Sequence, residues 1–318
     1  MSIDFDIMRP PGFYNMTLDG FTRAMRNVEK KGGWKPVLKC PICGCNNALN
    51  DILFTFESIN TFRCNNCLAL YNDKVPANPC SGWYDIKTEE GIAELPEEKT
   101  RKYRKERFGR ERLNLLDSYA GPMLDDVSLL DFGCGTGFFL DVATDHVASC
   151  EGVEISDMER SIAKKSTGCQ VHKTIPEKTY DVITIFDVLE HVENPLEILY
   201  ELKEHLNPDG IILAYTPNWT SYDFQLFGVK STSYIPADHL LFFSMATVRI
   251  IASQLKMPID YFVTAGMDIY NQLAYERDIQ GINIKNSFLL EHADDAQNFI
   301  DTNSLGSNLR FILRKPNE

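Results

Sequence analysis

The chain has 318 residues, 44% hydrophobic and 24% charged, with a formal net charge of −13. That length and balance suit a globular protein with one large domain or two unequal ones, and no apolar run reaches the ~18–20 residues of a membrane span. A net negative charge of this size repels a phosphate backbone and disfavours broad nucleic-acid binding unless a local basic patch overrides it.

The opening "MSIDFDIMRPPGFYN" has neither a basic start nor a hydrophobic stretch, so no secretory signal is expected. "MTLDGFTRAMRNVEKK" places Phe21, Met25 and Val28 near helical spacing and predicts a short amphipathic helix. Two C-x-x-C pairs follow, Cys40/Cys43 and Cys64/Cys67, with candidate strands in "ALNDILFTF" and "INTFRC" between them. Paired thiols at this spacing match a zinc ribbon, in which each pair forms a knuckle and four thiolates close a tetrahedral shell. Such a site is structural. Cys45 is an alternative ligand and Cys80 a weaker one, and a set of buried or redox cysteines is the other reading. Nine cysteines, an odd number arranged this way, favour the cytoplasm.

"NDKVPANPCSGWYD" reads as a connector or ordered loop. The next segment, "EEKTRKYRKERFGRERLNLLDSY", is basic first and apolar last. It predicts a solvated helix docked through Leu113, Leu116 and Tyr119, with attraction of an anionic substrate as the second reading.

From residue 127 strands and helices alternate. Strands are expected at 127–132, 148–153, 169–174, 180–186 and 210–216, with helices at 136–146, 157–166 and 195–206. Asn194 is placed to cap the last of these, with Pro195 in its first turn, and "NPDG" makes a turn into the next strand. This alternation implies a parallel sheet covered on both faces. After Pro217 an aromatic, irregular stretch follows a strand's C-terminal end, where open α/β sheets place their sites; Tyr222, Phe224, Tyr234, Phe242 and Phe243 are candidates for its walls, with a core cluster as the other reading of the last two. "MPIDYFVTAG" and "SNLRFILRK" read as two last strands around a long insertion.

The stretch "LLDFGCGTGFFLD" is a strand, a glycine turn and a helix, which is a nucleotide-binding arrangement. A dinucleotide site wants G-x-G-x-x-G, but here the glycines are Gly133, Gly135 and Gly137, and position 138 is Phe. Asp131 beside the turn would repel phosphate and accept from an ammonium group. Glu154, at the tip of the second strand, suits both hydroxyls of a ribose. The ligand expected is a nucleoside without phosphates.

"LLDFGCGTGFFL", "GVEIS", "YDVITIFDVLEHVENP" and "GIILAYTPN" resemble, in order and spacing, the motifs of class I S-adenosylmethionine-dependent methyltransferases. The resemblance implies a Rossmann-like doubly wound methyltransferase sheet behind a small N-terminal zinc-ribbon domain. The module would span 1–90 and the methyltransferase domain 91–318, with acceptor-site insertions at about 219–245 and 267–308. It also implies that Asp131, Gly133, Cys134, Gly135 and Gly137 receive the methionine part of the donor. Glu154 would hold the ribose, Ile155 pack on adenine, and Phe186 and Asp187 lie along the amino-acid end. The expected adenine-contacting acid after the third strand has no clear candidate in "VHKTIPEKTYD".

A cysteine-rich module ahead of such a core resembles the sugar methyltransferases of deoxysugar and surface-polysaccharide pathways, and the likeness extends to "YIPADHLLFFS". It implies an acid–His pair near the reacting carbon, here Asp238 and His239. The tyrosine of the C-methylating members is replaced by Pro236, and their further C-terminal domain is absent, so O-methylation of a sugar hydroxyl is expected. A hydroxyl needs a base, and His239 oriented by Asp238 is the first choice, with His191 in "VLEHVENP" as rival; the alternatives are a solvated or packed His239 and a His191 that hydrogen-bonds the loop before the capped helix. The other readings are a methyltransferase for a quinone-like small molecule, a non-catalytic binding protein on the same fold, an NAD-dependent oxidoreductase and an RNA methyltransferase. The partner expected is a small-molecule acceptor; the oligomeric state is open.

Overall fold

The structure, a computed structural model, describes residues 3–47, 50–78, 98–120 and 123–317. Cys80, the later part of the expected connector and the boundary expected at residue 90 lie outside the described residues.

The N-terminal helix Phe13–Lys30 turns Phe21, Ala24, Met25 and Val28 inward, as the spacing of its apolar residues requires. Five short strands follow: β1 (Trp34–Pro36), β2 (Asp51–Phe56), β3 (Ile59–Arg63), β4 (Leu70–Asn72) and β5 (Lys74–Pro76). The first half of the expected connector is therefore ordered, since β5 pairs antiparallel with β1. β2, β3 and β4 form an antiparallel sheet.

The second sheet contains β6 (Ser128–Phe132), β7 (Ser149–Val153), β8 (Gln170–His172), β9 (Tyr180–Phe186) and β10 (Leu206–Pro217). After β11 (Leu241–Phe242), β12 (Ile259–Ala265) and β13 (Asn308–Arg314) complete it, in the order β12-β13-β10-β9-β6-β7-β8. β6 to β10 run parallel, and β13 is antiparallel to both β10 and β12. β9 and β10 are near-continuous apolar runs because helices cover both faces; Val182, Ile183, Ile185 and Ile211 to Ala214 are all fully buried. The strand order reverses at β6, whose neighbours are β7 and β9, and a crevice opens beyond the C-terminal ends of those strands.

Three local expectations are corrected. The helix expected at 136–146 is one α-helical turn, Leu140–Ala143, flanked by hydrogen-bonded turns. "NPDG" lies within β10, where the register with β9 shifts between Leu206 and Ile211 and Asp209 takes φ 60°. The helix Pro195–Glu204 starts as expected, but Asn194 makes no side-chain cap bond.

β11 leaves the methyltransferase-like half and pairs antiparallel with β4. Cys40, Cys64, Cys67 and Tyr71 then share one hydrophobic core with Leu130, Ile183, Ile212 and Leu241. Phe224, Tyr234 and Phe242 form a buried aromatic cluster with Leu70, and Phe243 joins the main core. These four fill space between the halves and do not wall the cavity described below. The 267–308 insertion folds as helices Asp268–Asp278, Phe288–Glu291 and Ala293–Thr302 around Leu273 and Ile300.

Candidate active site

The crevice at the reversal point is a cavity of about 920 Å³, which is the size of a small-ligand site. One wall is made by the glycine turn, the β7 tip and the residues after β8. The other is made by the segment after β9, the helix Pro195–Glu204 and the turn at 237–240.

On the first wall the glycines divide their work. Gly133 (φ 74°) sits where a Cβ would come 2.4 Å from Val188, and Gly137 (φ 83°) where it would come 2.8 Å from Thr167. Both are needed for close packing. Gly135 (φ 53°) has nothing within 4 Å of the same position and leaves its backbone open to a ligand. Cys134 turns its thiol into a core with Leu140 and Val171, so only its backbone faces the turn. Glu154 is buried and accepts from the Gly135 and Ser156 N–H groups at 2.9 and 2.8 Å, tying turn to strand tip. Ile155 is 69% exposed, an apolar face presented to the cavity. After β8 the lining is Lys173, Thr174 and Ile175, with no acid among them.

Asp131 is buried beneath the turn and accepts from Thr184 Oγ1 at 2.7 Å. Burial pushes its carboxyl up to about 6, against the pull of Thr184 and of the Arg112 guanidinium. Arg112, which no sequence pattern singles out, lies beside rings of β9 and β10. Its guanidinium lies 4.0 Å from the Phe186 ring centroid and 5.2 Å from that of Tyr215, and its buried Nε has no hydrogen-bond partner. The helical run that carries it buries Leu113 and Leu116 as expected, with Tyr119 half-buried. Arg101 and Lys105 in the same run pair with Asp141.

On the second wall Asp187 holds φ 55° at the end of β9. His191 lines the cavity, and Asp238 meets it twice: the backbone carbonyl at 3.1 Å and the carboxylate at 3.5 Å from Nδ1. His239 lies behind, 8% exposed, its Nδ1 at 2.8 Å from the Ser233 carbonyl and its ring edge-on to His191 with centroids 4.7 Å apart. The three residues proposed from sequence for catalysis thus form one cluster. Buried Glu190 completes it, accepting from Thr216 Oγ1 at 3.0 Å. Burial pulls the His191 imidazolium down, but Asp238 and Glu190 outweigh it and hold the group up at about 9. Glu193, Glu197 and Glu201 line the same wall. Their four-residue spacing was legible as one helix face, but not what it faced.

Away from the cavity, the sulfurs of Cys40, Cys43, Cys64 and Cys67 all lie within 4.8 Å of one another, with Cys40–Cys67 at 3.5 Å and Cys43–Cys64 at 3.4 Å. Each knuckle closes alike: Gly44 N–H donates to the Cys40 carbonyl and Leu68 N–H to that of Cys64, and both Gly44 and Leu68 have positive φ. Cys45 is outside the quartet, its thiol beside Asn46 and Asn50.

A family model described as "Methyltransferase domain" matches residues 100–277. Among curated proteins, the mitochondrial ubiquinone biosynthesis O-methyltransferase of Schizosaccharomyces pombe is 32% identical over 101 residues, 28% of this chain and 37% of that protein. The ubiquinone biosynthesis O-methyltransferase of an Azoarcus species is 25% identical over 136 residues, 39% of this chain and 57% of that one. The matches thus span between about a third and just over half of these relatives' lengths. A chain of the solved complex between the Haloferax volcanii Trm112 methyltransferase activator and the putative methyltransferase superposes with a TM-score of 0.50 at 14% identity, covering 73% of this chain and 97% of that chain. That likeness is one of fold. The strand order, the glycine turn with Glu154 and the family match agree, and the chain belongs to the methyltransferase-domain family.

Proposed function

We propose that the protein transfers the methyl group of S-adenosylmethionine to a hydroxyl of a small molecule, with a hydroxylated, quinone-like ring as the acceptor. The donor fits the first wall: Gly135 leaves room at the turn, Glu154 suits the ribose hydroxyls, and exposed Ile155 offers a face for adenine. Arg112, a cation beside Phe186 with a buried unpartnered Nε, would meet the α-carboxylate, and Asp131 is the acid on the ammonium side. Once bound, S-adenosylmethionine supplies a methyl group already activated by its sulfonium. The chain's own residues then align the acceptor and remove its proton.

His191 is the base in this reading, in preference to His239, because it lines the cavity and Asp238 holds its Nδ1 side. A base near 9 is well matched to a phenol-like hydroxyl of pKa about 10, and poorly matched to a sugar hydroxyl, which is a weaker acid. The observation that carries the acceptor class is the cavity's charge. Glu193 is paired with Lys35, but Glu197 and Glu201 with Asp187 and Asp238 outnumber Lys173 in the lining and would repel the diphosphate of a nucleotide-linked sugar while tolerating a neutral ring. The names of the curated relatives support the same class.

The cysteine quartet is assigned one zinc ion. Zn–S bonds of about 2.3 Å in a tetrahedron put sulfurs roughly 3.8 Å apart, which the spacing of the four thiols accommodates. Four thiolates leave no open position, so the ion would fasten the module and take no part in methyl transfer.

The test is methyl-labelled S-adenosylmethionine incubated with a fractionated cell extract. Label in neutral, solvent-extractable small molecules is expected. Label in small anionic metabolites would restore the nucleotide-sugar acceptor, and label only in macromolecules would overturn the small-molecule reading.

A further inference from the structure

The cysteine module reaches the cavity through one side chain. Asn72 ends β4, five residues after Cys67, and is fully buried. Its Nδ2 donates to the Pro236 and His239 carbonyls at 3.0 and 3.2 Å, so its two acceptors bracket Ala237 and Asp238. Its Oδ1 accepts from Thr61 Oγ1 at 2.9 Å, and its backbone N–H donates to the Leu240 carbonyl at 3.3 Å. Thr61 Oγ1 in turn meets the Tyr234 hydroxyl at 2.7 Å.

The chain around the turn is fastened to the same module elsewhere. The Trp219 indole N–H donates to the Leu68 carbonyl at 2.9 Å and Thr247 Oγ1 to the Cys67 carbonyl at 3.1 Å, while β11 pairs with β4. Both carbonyls belong to the second cysteine knuckle or the residue after it. Buried amides with all their bonds made fix geometry strongly, because losing one partner leaves an unsatisfied group out of reach of water.

We infer that Asn72 is a positioning residue for methyl transfer: by gripping both ends of the 236–239 turn, it sets where Asp238 stands against His191. The cysteine module is then the anchor of the acceptor side of the site. This rests on the reading of His191 as the base; the grip itself does not depend on the acceptor.

The groups facing His191 are Asp238 and His239 from the turn, Glu190 beside it in sequence, and Asp187 at the end of β9. Moving Asp238 away removes the carboxylate that holds the imidazolium, while the β6–β7 donor wall is untouched. The experiment is a histidine-resolved NMR titration of the full chain, wild type against Asn72→Ala, with S-adenosylhomocysteine affinity measured by calorimetry on the same samples. In wild type His191 is expected to titrate well above 6.5, near 9, because Asp238 and Glu190 face it. In Asn72→Ala it is expected at least one pH unit lower, a tenfold loss of proton affinity, with the nucleoside affinity held within about twofold. Thr61→Val, which frees Asn72 Oδ1 without removing its donors, is expected to give a smaller shift and keeps the test open should Asn72→Ala not fold. A folded Asn72→Ala chain whose His191 titrates as in wild type overturns the inference. Absence of S-adenosylhomocysteine binding in wild type would instead sink the donor reading, and the titration would still report on the grip.

Discussion

Asp238 contacts the His191 ring through two different atoms on one nitrogen, its carbonyl oxygen at 3.1 Å and its carboxylate at 3.5 Å from Nδ1. With that nitrogen bonded to the carbonyl as an N–H donor, the neutral ring carries its lone pair on Nε2, which lies 3.9 Å from the Glu190 carboxylate.

His191→Ala is therefore expected to lower turnover by ~10²-fold or more, the scale of a lost general base. S-adenosylhomocysteine affinity should stay near wild type. His239→Ala, which removes a ring behind the first, should cost less. Steady-state rates with labelled donor check both; near-normal turnover in His191→Ala would remove it from the mechanism.

The pH dependence follows from the raised imidazolium. A base must be neutral, so with His191 near 9 the rate should climb about tenfold per pH unit from neutrality and level off above about 9. Stability runs the other way. A group whose folded pKa is raised above 6.5 contributes stability fully below that value and loses it as pH rises through about 9. A kcat/KM profile with an inflection near 6.5 would contradict the Asp238 contact.

Asp131 should show a trade of stability for binding. Its carboxyl rises from 3.8 to about 6 on burial, so at neutral pH the charged form costs on the order of 3 kcal/mol. That cost is relieved as pH falls from about 6 towards 4. Asp131→Asn keeps the acceptor for Thr184 and removes the charge, so the melting temperature should rise while donor affinity falls more than tenfold. Thermal melts at pH 7 and pH 5 with calorimetry decide it; an unchanged melting temperature at both would show that the carboxylate is better solvated than its burial implies.

The two glycines of the turn should fail differently. Gly133→Ala drives a Cβ to 2.4 Å from Val188 at a positive φ, so a stability loss of several kcal/mol is expected. Gly135→Ala meets no atom within 4 Å and should cost only about 1 kcal/mol from its backbone conformation, yet block the ligand's approach. Chemical denaturation and binding measured side by side separate the two; equal stability losses would refute the division.

Elemental analysis should find one zinc per chain, and Cys64→Ser should release it. Because β4, which follows the second knuckle, pairs with β11 and Asn72 holds the 236–239 turn, the loss should reach the acceptor wall before the donor wall. Protection of the 236–242 amides in hydrogen exchange should fall while nucleoside binding persists. A metal-free wild type with native melting behaviour would end the zinc reading.

The sequence by itself determined the alternating sheet, the glycine turn and the cysteine knuckles, because each is a local pattern. Apolar runs, a strand-to-turn step at Gly133, and thiols two residues apart need no distant partner to be read. Asp131, Glu154 and Ile155 stand at fixed offsets along one chain segment, so the sequence proposes them for the donor. Only the tertiary structure decided the rest. Phe224 and Tyr234 look like pocket walls in sequence and are packing, and Phe242 and Phe243, for which wall and core were both open, are core, because β11 crosses to pair with β4. Arg112 and Asn72 carry no local signal at all: one contacts the rings of Phe186 and Tyr215, the other carbonyls more than 160 residues away. Which histidine faces the cavity depends on how the 236–239 turn sits against the segment after β9, a contact between chain segments about 47 residues apart that no spacing rule records.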